Sequence, residues 1–308
     1  SRGSGGVMGQ VRTLLGIGAL VPAATTAISW GLLTRSRRRG VNLFTTAFPQ
    51  LLLAANGVSI NVLGRDNLTA KRPAVFIFNH RNNFDPVISA ALLKDNWTGV
   101  GKKELESDPV VGTLGKIVDT VFIDRDDPKS AVETMQRVEN LVEKGLSILI
   151  APEGTRLDTR TVGPFKKGPF RLAMAAGVPI VPIVIRNAEV IAPRDSSTMN
   201  PGKVDVVVYP PISVADWTVD DLSDRIAEVR QLYLDTLKDW PEDKLPTPEL
   251  YRRGPAKKAA AKKAPAKKAA VKKAPAKKVA TKKVAAKKQP ARKAAVKKAQ
   301  PVNPKAQS

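Results

Sequence analysis

A histidine and an aspartate five residues apart are the strongest candidates for acid–base chemistry. His80 is the only histidine among 308 residues, and it stands in the stretch VFIFNHRNNFDPV, residues 75–87. Imidazole titrates near neutral pH, and a carboxylate beside one ring nitrogen makes the other a base. Asp85 can provide that carboxylate if the polar loop folds back. Two structural alternatives stay open: a lone histidine is often a packing residue, and Asp85 before Pro86 is typical of a helix N-cap.

The residues that are missing exclude several classes of chemistry. The chain has no cysteine, which excludes disulfides, thiolate nucleophiles and cysteine-type zinc sites. A single histidine also excludes histidine-rich zinc sites. The sequence contains no glycine-rich nucleotide-phosphate loop. We therefore expect neither a metal ion nor a tightly bound cofactor.

Other apolar runs are followed directly by charged residues or glycine. An arginine fork suits phosphate, and a glycine lets a ligand approach the backbone closely. Each cluster alone is typical of a turn with an exposed ion pair. Together with the histidine loop they predict a pocket for an anionic substrate that contains one base. These residues are Lys102 with Lys103, Arg125, and Glu153, Gly154, Thr155 and Arg156.

The elements that must position these residues alternate between strands and helices from about Val58 onward. This alternation predicts an α/β fold, with a mixed, mostly parallel sheet of about seven strands flanked by helices. In such sheets, ligands bind near the carboxyl ends of the strands. Pro182 predicts that its strand lies at an edge or contains a bulge. The predicted strands are VSINVL, AVFIF, WTGVG, TVFI, LSILIA, VPIVPIVI and VDVVVY.

The N-terminal part, residues 1–57, is predicted to be a membrane-associated pair of apolar helices. Residues 14–33 and 41–64 carry no charge, and TRSRRRG stands between them. We expect these arginines to meet anionic head groups at the cytoplasmic surface. The alternative is two buried helices of a soluble domain. The chain begins SRGSGG without methionine, which leaves room for a preceding domain.

The C-terminal part, residues 252–308, is a polycation. It holds 21 Lys or Arg and no acidic residue, while the remaining residues hold 30 basic and 28 acidic side chains. A dibasic pair recurs every five residues, and prolines interrupt any helix. We predict a disordered tail that contacts anionic lipid or, alternatively, nucleic acid through phosphates. The catalytic α/β domain is then predicted to span residues 58–251.

Four blocks in this order carry a resemblance to a known family. They are NH-x4-D (Asn79, His80 and Asp85), FIDR (122–125), PEGTR (152–156) and VPIVPI (178–183), joined by GKKEL and FKKG. This pattern resembles the glycerolipid acyltransferase family, which includes the PlsC-type 1-acylglycerol-3-phosphate acyltransferases. Asn82 stands where family members often carry serine, and Ala151 where they often carry phenylalanine.

The resemblance implies a role for each matching residue. His80 would be the general base that takes the proton of an acceptor hydroxyl, and Asp85 would orient it. Arg125 and Arg156, with Lys102, would bind the phosphate of the acceptor. The remaining substrate-binding residues would be Glu153, Gly154 and Thr155, where the first two shape that site or help the oxyanion.

The resemblance also implies the reaction. A fatty acyl chain passes from acyl-CoA, or alternatively from acyl carrier protein, to the free hydroxyl of lysophosphatidic acid, giving phosphatidic acid for phospholipid synthesis. Glycerol-3-phosphate or a glycolipid is the alternative acceptor. Thioester hydrolysis and polyanion binding through the tail are the alternatives outside this class. We expect the enzyme at the cytoplasmic membrane, with its catalytic domain on the cytoplasmic face.

Overall fold

The part of the chain that the computed structural model describes contains seven strands and the nine α-helices named below. That part comprises residues 7, 11, 14, 15, 18–109, 111–124, 127–157 and 161–252. Its helices are α1 (Leu20–Leu33), α2 (Arg37–Ala55), α3 (Asp85–Leu93), α4 (Val111–Ile117), α5 (Pro128–Glu143), α6 (Gly168–Ala176), α7 (Ala188–Ile191), α8 (Leu222–Lys238) and α9 (Glu249–Arg252). Two 3₁₀ helices cover Arg65–Leu68 and Lys103–Ser107.

The strands form one sheet in the order β1-β7-β6-β2-β5-β3-β4. Neighbouring strands are parallel except β6 and β7, which pair antiparallel. The predicted mixed, mostly parallel α/β sheet is therefore confirmed. Its strands are β1 (Val58–Leu63), β2 (Val75–Phe78), β3 (Trp97–Lys102), β4 (Val121–Ile123), β5 (Ser147–Ile150), β6 (Ile180–Arg186) and β7 (Gly202–Val208).

Helices cover both faces of the sheet. Every residue of β2 and β5 is buried, as expected for central strands packed on two sides. One core contains Phe44 and Phe48 of α2 and Ile88 of α3. The opposite core contains Phe170 of α6 and Val229 of α8. The carboxyl ends of β2 and β5 are therefore supported from both sides, and the loops that carry His80 and Glu153 begin at those ends.

Local signals account for several helix boundaries. Pro128 starts α5 after Asp127, whose carboxylate accepts the Lys129 N–H at 3.0 Å. Gly177 ends α6 with a φ of 64°, a conformation that glycine adopts without strain. Before α8, the Thr218 N–H donates to Asp221 and the Asp221 N–H donates back to the Thr218 hydroxyl. This reciprocal pair has the bonding pattern of a capping box and lies directly before the helix.

Pro182 lies in an interior strand, so the edge alternative predicted for it is wrong. Its strand, β6, is flanked by β7 and β2. Ile183 pairs with Val208 and Ile180 pairs with Ile212, so the partner segment contains one extra residue opposite Pro182. The bulge alternative therefore holds. A bulge removes the need for a donor where proline has no N–H.

The N-terminal apolar segments form two packed helices, and α2 is part of the main core through Phe44, Phe48, Leu52 and Leu53. The predicted boundary near residue 57 is therefore not a break in packing. The first helix is more exposed: Leu33 is 76% exposed. Within the described residues, no helix combines the length and the apolar character needed to cross a membrane. Most of the predicted tail lies outside the described residues.

Candidate active site

The loop that carries His80 begins where β2 ends, at Phe78. The buried side chain of Asn79 anchors this loop to the neighbouring strand β6. Its amide donates to the Ile185 carbonyl at 2.9 Å, and its oxygen accepts the Ile185 N–H at 2.8 Å. The Phe78 ring meets the imidazole edge-on, with ring centroids 5.5 Å apart. The backbone on which His80 stands is therefore fixed on its strand side.

His80 and Asp85 are in contact, as predicted. The His80 Nδ1 lies 3.1 Å from the Asp85 Oδ2. The aspartate side chain has no exposed surface, whereas the imidazole side chain is 19% exposed. Because a carboxylate only accepts hydrogen bonds, this contact places the ring proton on Nδ1 and leaves Nε2 as the basic nitrogen. The pair can therefore act as a general base that solvent and a substrate can reach.

Asp85 does not cap its own helix, so its assignment as an N-cap is wrong. It is the first residue of α3, and the cap position, Phe84, makes no side-chain cap bond. The Asp85 Oδ2 instead accepts the N–H groups of Arg81 and Asn82, the latter at 2.8 Å. The Phe84 N–H donates to the Asn82 side chain at 2.9 Å. These N–H groups serve the loop itself and are not available to an oxyanion.

Glu153 supports the His80 loop from the next strand, β5. Its Oε1 accepts the His80 N–H at 2.9 Å, and its Oε2 accepts the Gly163 N–H at 2.8 Å. The Arg81 guanidinium lies 3.2 Å from both oxygens and also donates to the His80 carbonyl at 2.9 Å. The Glu153 side chain is only 1% exposed. Glu153 therefore positions the backbone of the histidine loop, and its part in substrate binding stays a prediction.

Further hydrogen bonds hold the segments on either side of Glu153. Arg230 of α8 donates to the Gly163 carbonyl at 2.9 Å and to the Val162 carbonyl at 2.6 Å. The Leu157 N–H donates to the His80 carbonyl at 3.2 Å. The PEGTR segment and the histidine loop are thus one hydrogen-bonded unit, as expected from the adjacent carboxyl ends of β2 and β5.

Arg156 also contacts the loop that carries His80. Its Nη1 donates to the Asn83 side chain at 2.5 Å and to the Arg194 carbonyl at 2.9 Å, and it lies 3.2 Å from the Asp195 carboxylate. Its side chain remains 30% exposed. The structure therefore brings Arg156 to the histidine loop, where a partly exposed guanidinium can meet an anionic group.

The other predicted substrate-binding residues have different positions. Gly154 has a φ of 75°, which favours glycine, and Thr155 beside it is exposed. Lys102 is exposed at the end of β3, two strands from β2 and so roughly 10 Å away across the sheet. Arg125 lies outside the described residues. The contribution of Lys102 and Arg125 to phosphate binding stays a prediction.

Sequence reasoning missed the residues that hold the histidine loop. Arg81, Asn82 and Arg230 received no role, although the run NHRNN is unusually polar between two apolar elements. The Asn82 amide, for example, donates to the carbonyls of Ala188 and Ala192. Such a run signals internal hydrogen bonding, because a loop this close to the core must satisfy its backbone groups. Arg230 gave no such signal, since its partners are 67 and 68 residues away.

The geometry of the site suits base catalysis. In the described part of the chain, no group of three or more metal-ligating His, Asp or Glu side chains comes together. What comes together is a solvent-accessible imidazole, its buried carboxylate and a partly exposed arginine. This arrangement can take a proton from a hydroxyl whose molecule also carries an anionic group.

Comparisons with known proteins agree with this chemistry. Residues 59–186 match the family described as Acyltransferase. A 1-acyl-sn-glycerol-3-phosphate acyltransferase of Limnanthes alba is 31% identical over 69% of this chain and 78% of that protein. The Saccharomyces cerevisiae protein of the same name is 33% identical over 59% and 61% of the two chains.

A solved structure shows the same fold. The 1-acyl-sn-glycerophosphate acyltransferase PlsC from Thermotoga maritima superposes with a TM-score of 0.60, at 22% identity, over 76% of this chain and all of that one. The fold, the matched residues and the relatives together show that this chain belongs to the glycerolipid acyltransferase family and is an O-acyltransferase.

Proposed function

We propose that the enzyme transfers a fatty acyl chain from an acyl thioester to the free hydroxyl of 1-acylglycerol-3-phosphate, giving phosphatidic acid for phospholipid synthesis. The observation that carries the proposal is the 3.1 Å contact between His80 Nδ1 and the fully buried Asp85 carboxylate. The printed names of the plant and yeast relatives support the choice of acceptor. Acyl-CoA is the proposed donor, and no further cofactor takes part.

The proposed reaction begins at the free imidazole nitrogen. His80 Nε2 takes the proton of the acceptor hydroxyl while the hydroxyl oxygen attacks the thioester carbonyl. The resulting tetrahedral oxyanion collapses, the carbon–sulfur bond breaks, and the imidazolium returns its proton to the leaving thiolate. Asp85 stabilises the imidazolium between these steps. An ester and a free thiol leave, so no cysteine acyl-enzyme is needed.

The acceptor phosphate is proposed to bind beside this base. Arg156 supports this assignment, since it is partly exposed and contacts Asn83 of the histidine loop. Lys102 is the last residue of β3, and Arg125 comes two residues after β4 in the sequence; both are proposed to add positive charge near the phosphate. An anchored phosphate holds the hydroxyl near the imidazole and lowers the entropic barrier to attack.

An acceptor panel tests the proposal. The purified full chain is given one isotope-labelled acyl-CoA with 1-acylglycerol-3-phosphate, 1-acylglycerol, glycerol-3-phosphate or a glycolipid, and products are identified by mass. We expect phosphatidic acid from the first acceptor and little transfer to 1-acylglycerol, which differs only in lacking the phosphate. The His80→Ala variant serves as the inactive control. Faster turnover of glycerol-3-phosphate or the glycolipid, or thiol release without any acceptor, would overturn the proposal.

We further propose that the enzyme works at the cytoplasmic face of the membrane. Acceptor and product are lipids, and α1 presents large apolar side chains to solvent, including Leu32 at 74% and Leu33 at 76% exposure. Vesicle flotation of Leu33→Glu tests this placement against Val219→Glu, a matched change at a residue that is 74% exposed elsewhere on the domain. We expect only Leu33→Glu to lose flotation. Equal flotation of both variants would contradict the placement.

The polycationic tail is proposed to strengthen binding to anionic lipid, by about 1 kcal/mol for each basic residue near the surface. Its charge pattern supports this role, and the absence of aromatic residues after Tyr251 disfavours base stacking with nucleic acid. Removing the residues after Arg253 should weaken binding to anionic vesicles and leave turnover on detergent-dispersed substrate unchanged. Loss of that turnover, or preferential retention of nucleic acid by the full chain, would contradict the role.

A further inference from the structure

A cavity of about 570 Å³ lies between α1 and α2, in a part of the molecule that the proposed reaction does not use. Two glycines allow these helices to approach closely: a Cβ atom on Gly40 would stand 2.6 Å from the Ala27 carbonyl oxygen, and one on Gly31 would stand 3.5 Å from the Gly40 Cα. The wall is almost entirely apolar. Its side chains include Ala24, Ile28, Leu32, Val41, Phe44 and Ile117.

One end of this cavity is positively charged. Arg35 and Arg37 line it, together with Ser36 between them. The Arg37 side chain is 62% exposed and lies 2.6 Å from Asp119, which is also 3.1 Å from Arg38. The hydrogen bond to Asp119 raises the pKa of Arg37 above its ordinary value, so this arginine remains a cation.

The positive charge at this end exceeds the negative charge that balances it. Asp119 is shared by Arg37 and Arg38, while Arg35 forms no ion pair within the described residues. The first turn of α2 contains no acidic residue. The cavity therefore combines an apolar interior with a surplus of arginine, a combination that matches an amphipathic anion.

We propose that this cavity binds one anionic phospholipid, with an acyl chain along α1 and α2 and its phosphate at Arg35 and Arg37. The volume lies in the range of pockets that enclose a small ligand. Ile28 and Leu32 line the cavity and are 63% and 74% exposed, so the apolar interior opens toward the same surface as the apolar face of α1. A lipid can enter from the bilayer by this opening while its phosphate meets the arginines.

The test is photolabelling of the full chain with an anionic phospholipid that carries a diazirine in its acyl chain. The labelled lipid is diluted into zwitterionic vesicles, and the attached residues are mapped by mass spectrometry. We expect label on the residues that line the cavity, and competition by unlabelled anionic lipid but not by zwitterionic lipid or inorganic phosphate. His80→Ala should retain the label, because the cavity is separate from the proposed reaction.

Charge variants test the arginine end. Arg37→Gln should lower the labelling about fivefold, the effect of one basic residue near a lipid phosphate. Arg39→Gln is the matched control, since Arg39 is exposed in the same helical turn but does not line the cavity. The tail is present in both variants, so its attraction for anionic lipid affects their labelling equally. Equal labelling of the two variants would overturn the proposal.

A volume variant tests the apolar interior independently. Ala24→Leu adds bulk to the cavity wall, whereas Ser29→Leu adds the same side chain at an exposed position of α1 that does not line it. We expect only Ala24→Leu to lose label, with thermal melting unchanged in Ser29→Leu. Label spread over the outer face of α1 in every protein, or lost in His80→Ala, would show that the cavity is not a lipid site of its own.

Discussion

Replacing Glu153 with glutamine separates a positioning role from a substrate contact. Glutamine keeps the shape of the side chain but turns one carboxylate oxygen into an NH₂ group. That group must then face either the Gly163 N–H or the His80 N–H, and in both orientations it also faces the Arg81 guanidinium. A donor faces a donor in either orientation, and the buried ion pair with Arg81 is lost.

The size of the expected loss of stability follows from the burial of Glu153 and Arg81. The Glu153 and Arg81 side chains are 1% and 12% exposed, so neither group regains much water when the pair is broken. Breaking a buried pair by removing one partner costs about 3–5 kcal/mol of stability. A displacement of the His80 backbone by about 1 Å would lower turnover roughly 10²-fold. We therefore expect a lower free energy of unfolding together with a lower kcat.

The assay combines urea unfolding with acyl-transfer kinetics, using labelled acyl-CoA and varied acceptor. Glu133→Gln is the matched control, because Glu133 is an exposed residue of α5. We expect the control to behave as the parent protein, and Glu153→Gln to change kcat much more than the acceptor KM. A fully stable Glu153→Gln protein with a raised acceptor KM and an unchanged kcat would refute the positioning role.

Three further substitutions test the site and the core that packs beneath β2. Asp85→Asn should lower kcat by about 10²–10⁴ and also lower the melting temperature, because the Asp85 Oδ2 accepts three N–H groups; normal turnover would remove it from the catalytic pair. Arg156→Lys should raise the acceptor KM, because a point charge replaces the guanidinium fork, and an unchanged KM would exclude this residue from phosphate binding. Tyr233→Phe should cost about 1–3 kcal/mol in urea unfolding, because the buried hydroxyl donates to the Ile77 carbonyl at 2.7 Å, and unchanged stability would contradict this reasoning.

The strands were predictable because burial on both faces leaves a mark in the sequence. VFIF is an uninterrupted apolar run, SILI is apolar after Ser147, and both are buried strands beside the site. Pro182 shows the limit of this reasoning. A proline in a strand indicates an irregularity, but only the pairing with the segment around Val208 and Ile212 shows that the strand is interior and that a bulge accommodates it.

Within the site, the sequence predicted that His80 meets Asp85 and that Arg156 lies near the same loop, but not the directions of the side chains. Asp85 stands where a cap is expected, yet its carboxylate turns back toward His80, because that loop supplies several N–H donors. The PEGTR motif predicted a polar role for Glu153, but not that Arg81 and Gly163 would enclose its carboxylate. The orientation of Glu153 depends on residues 72 and 10 positions away, which local spacing does not reveal.

The most direct test is the turnover of His80→Ala on 1-acylglycerol-3-phosphate with labelled acyl-CoA, measured beside its melting curve. His80 contributes one partly exposed side chain, while its backbone makes the contacts to Glu153 and Leu157. The variant should therefore fold normally and lose about 10²–10⁴ in kcat. A folded His80→Ala protein that forms phosphatidic acid at a rate near that of the parent would contradict base catalysis by this histidine.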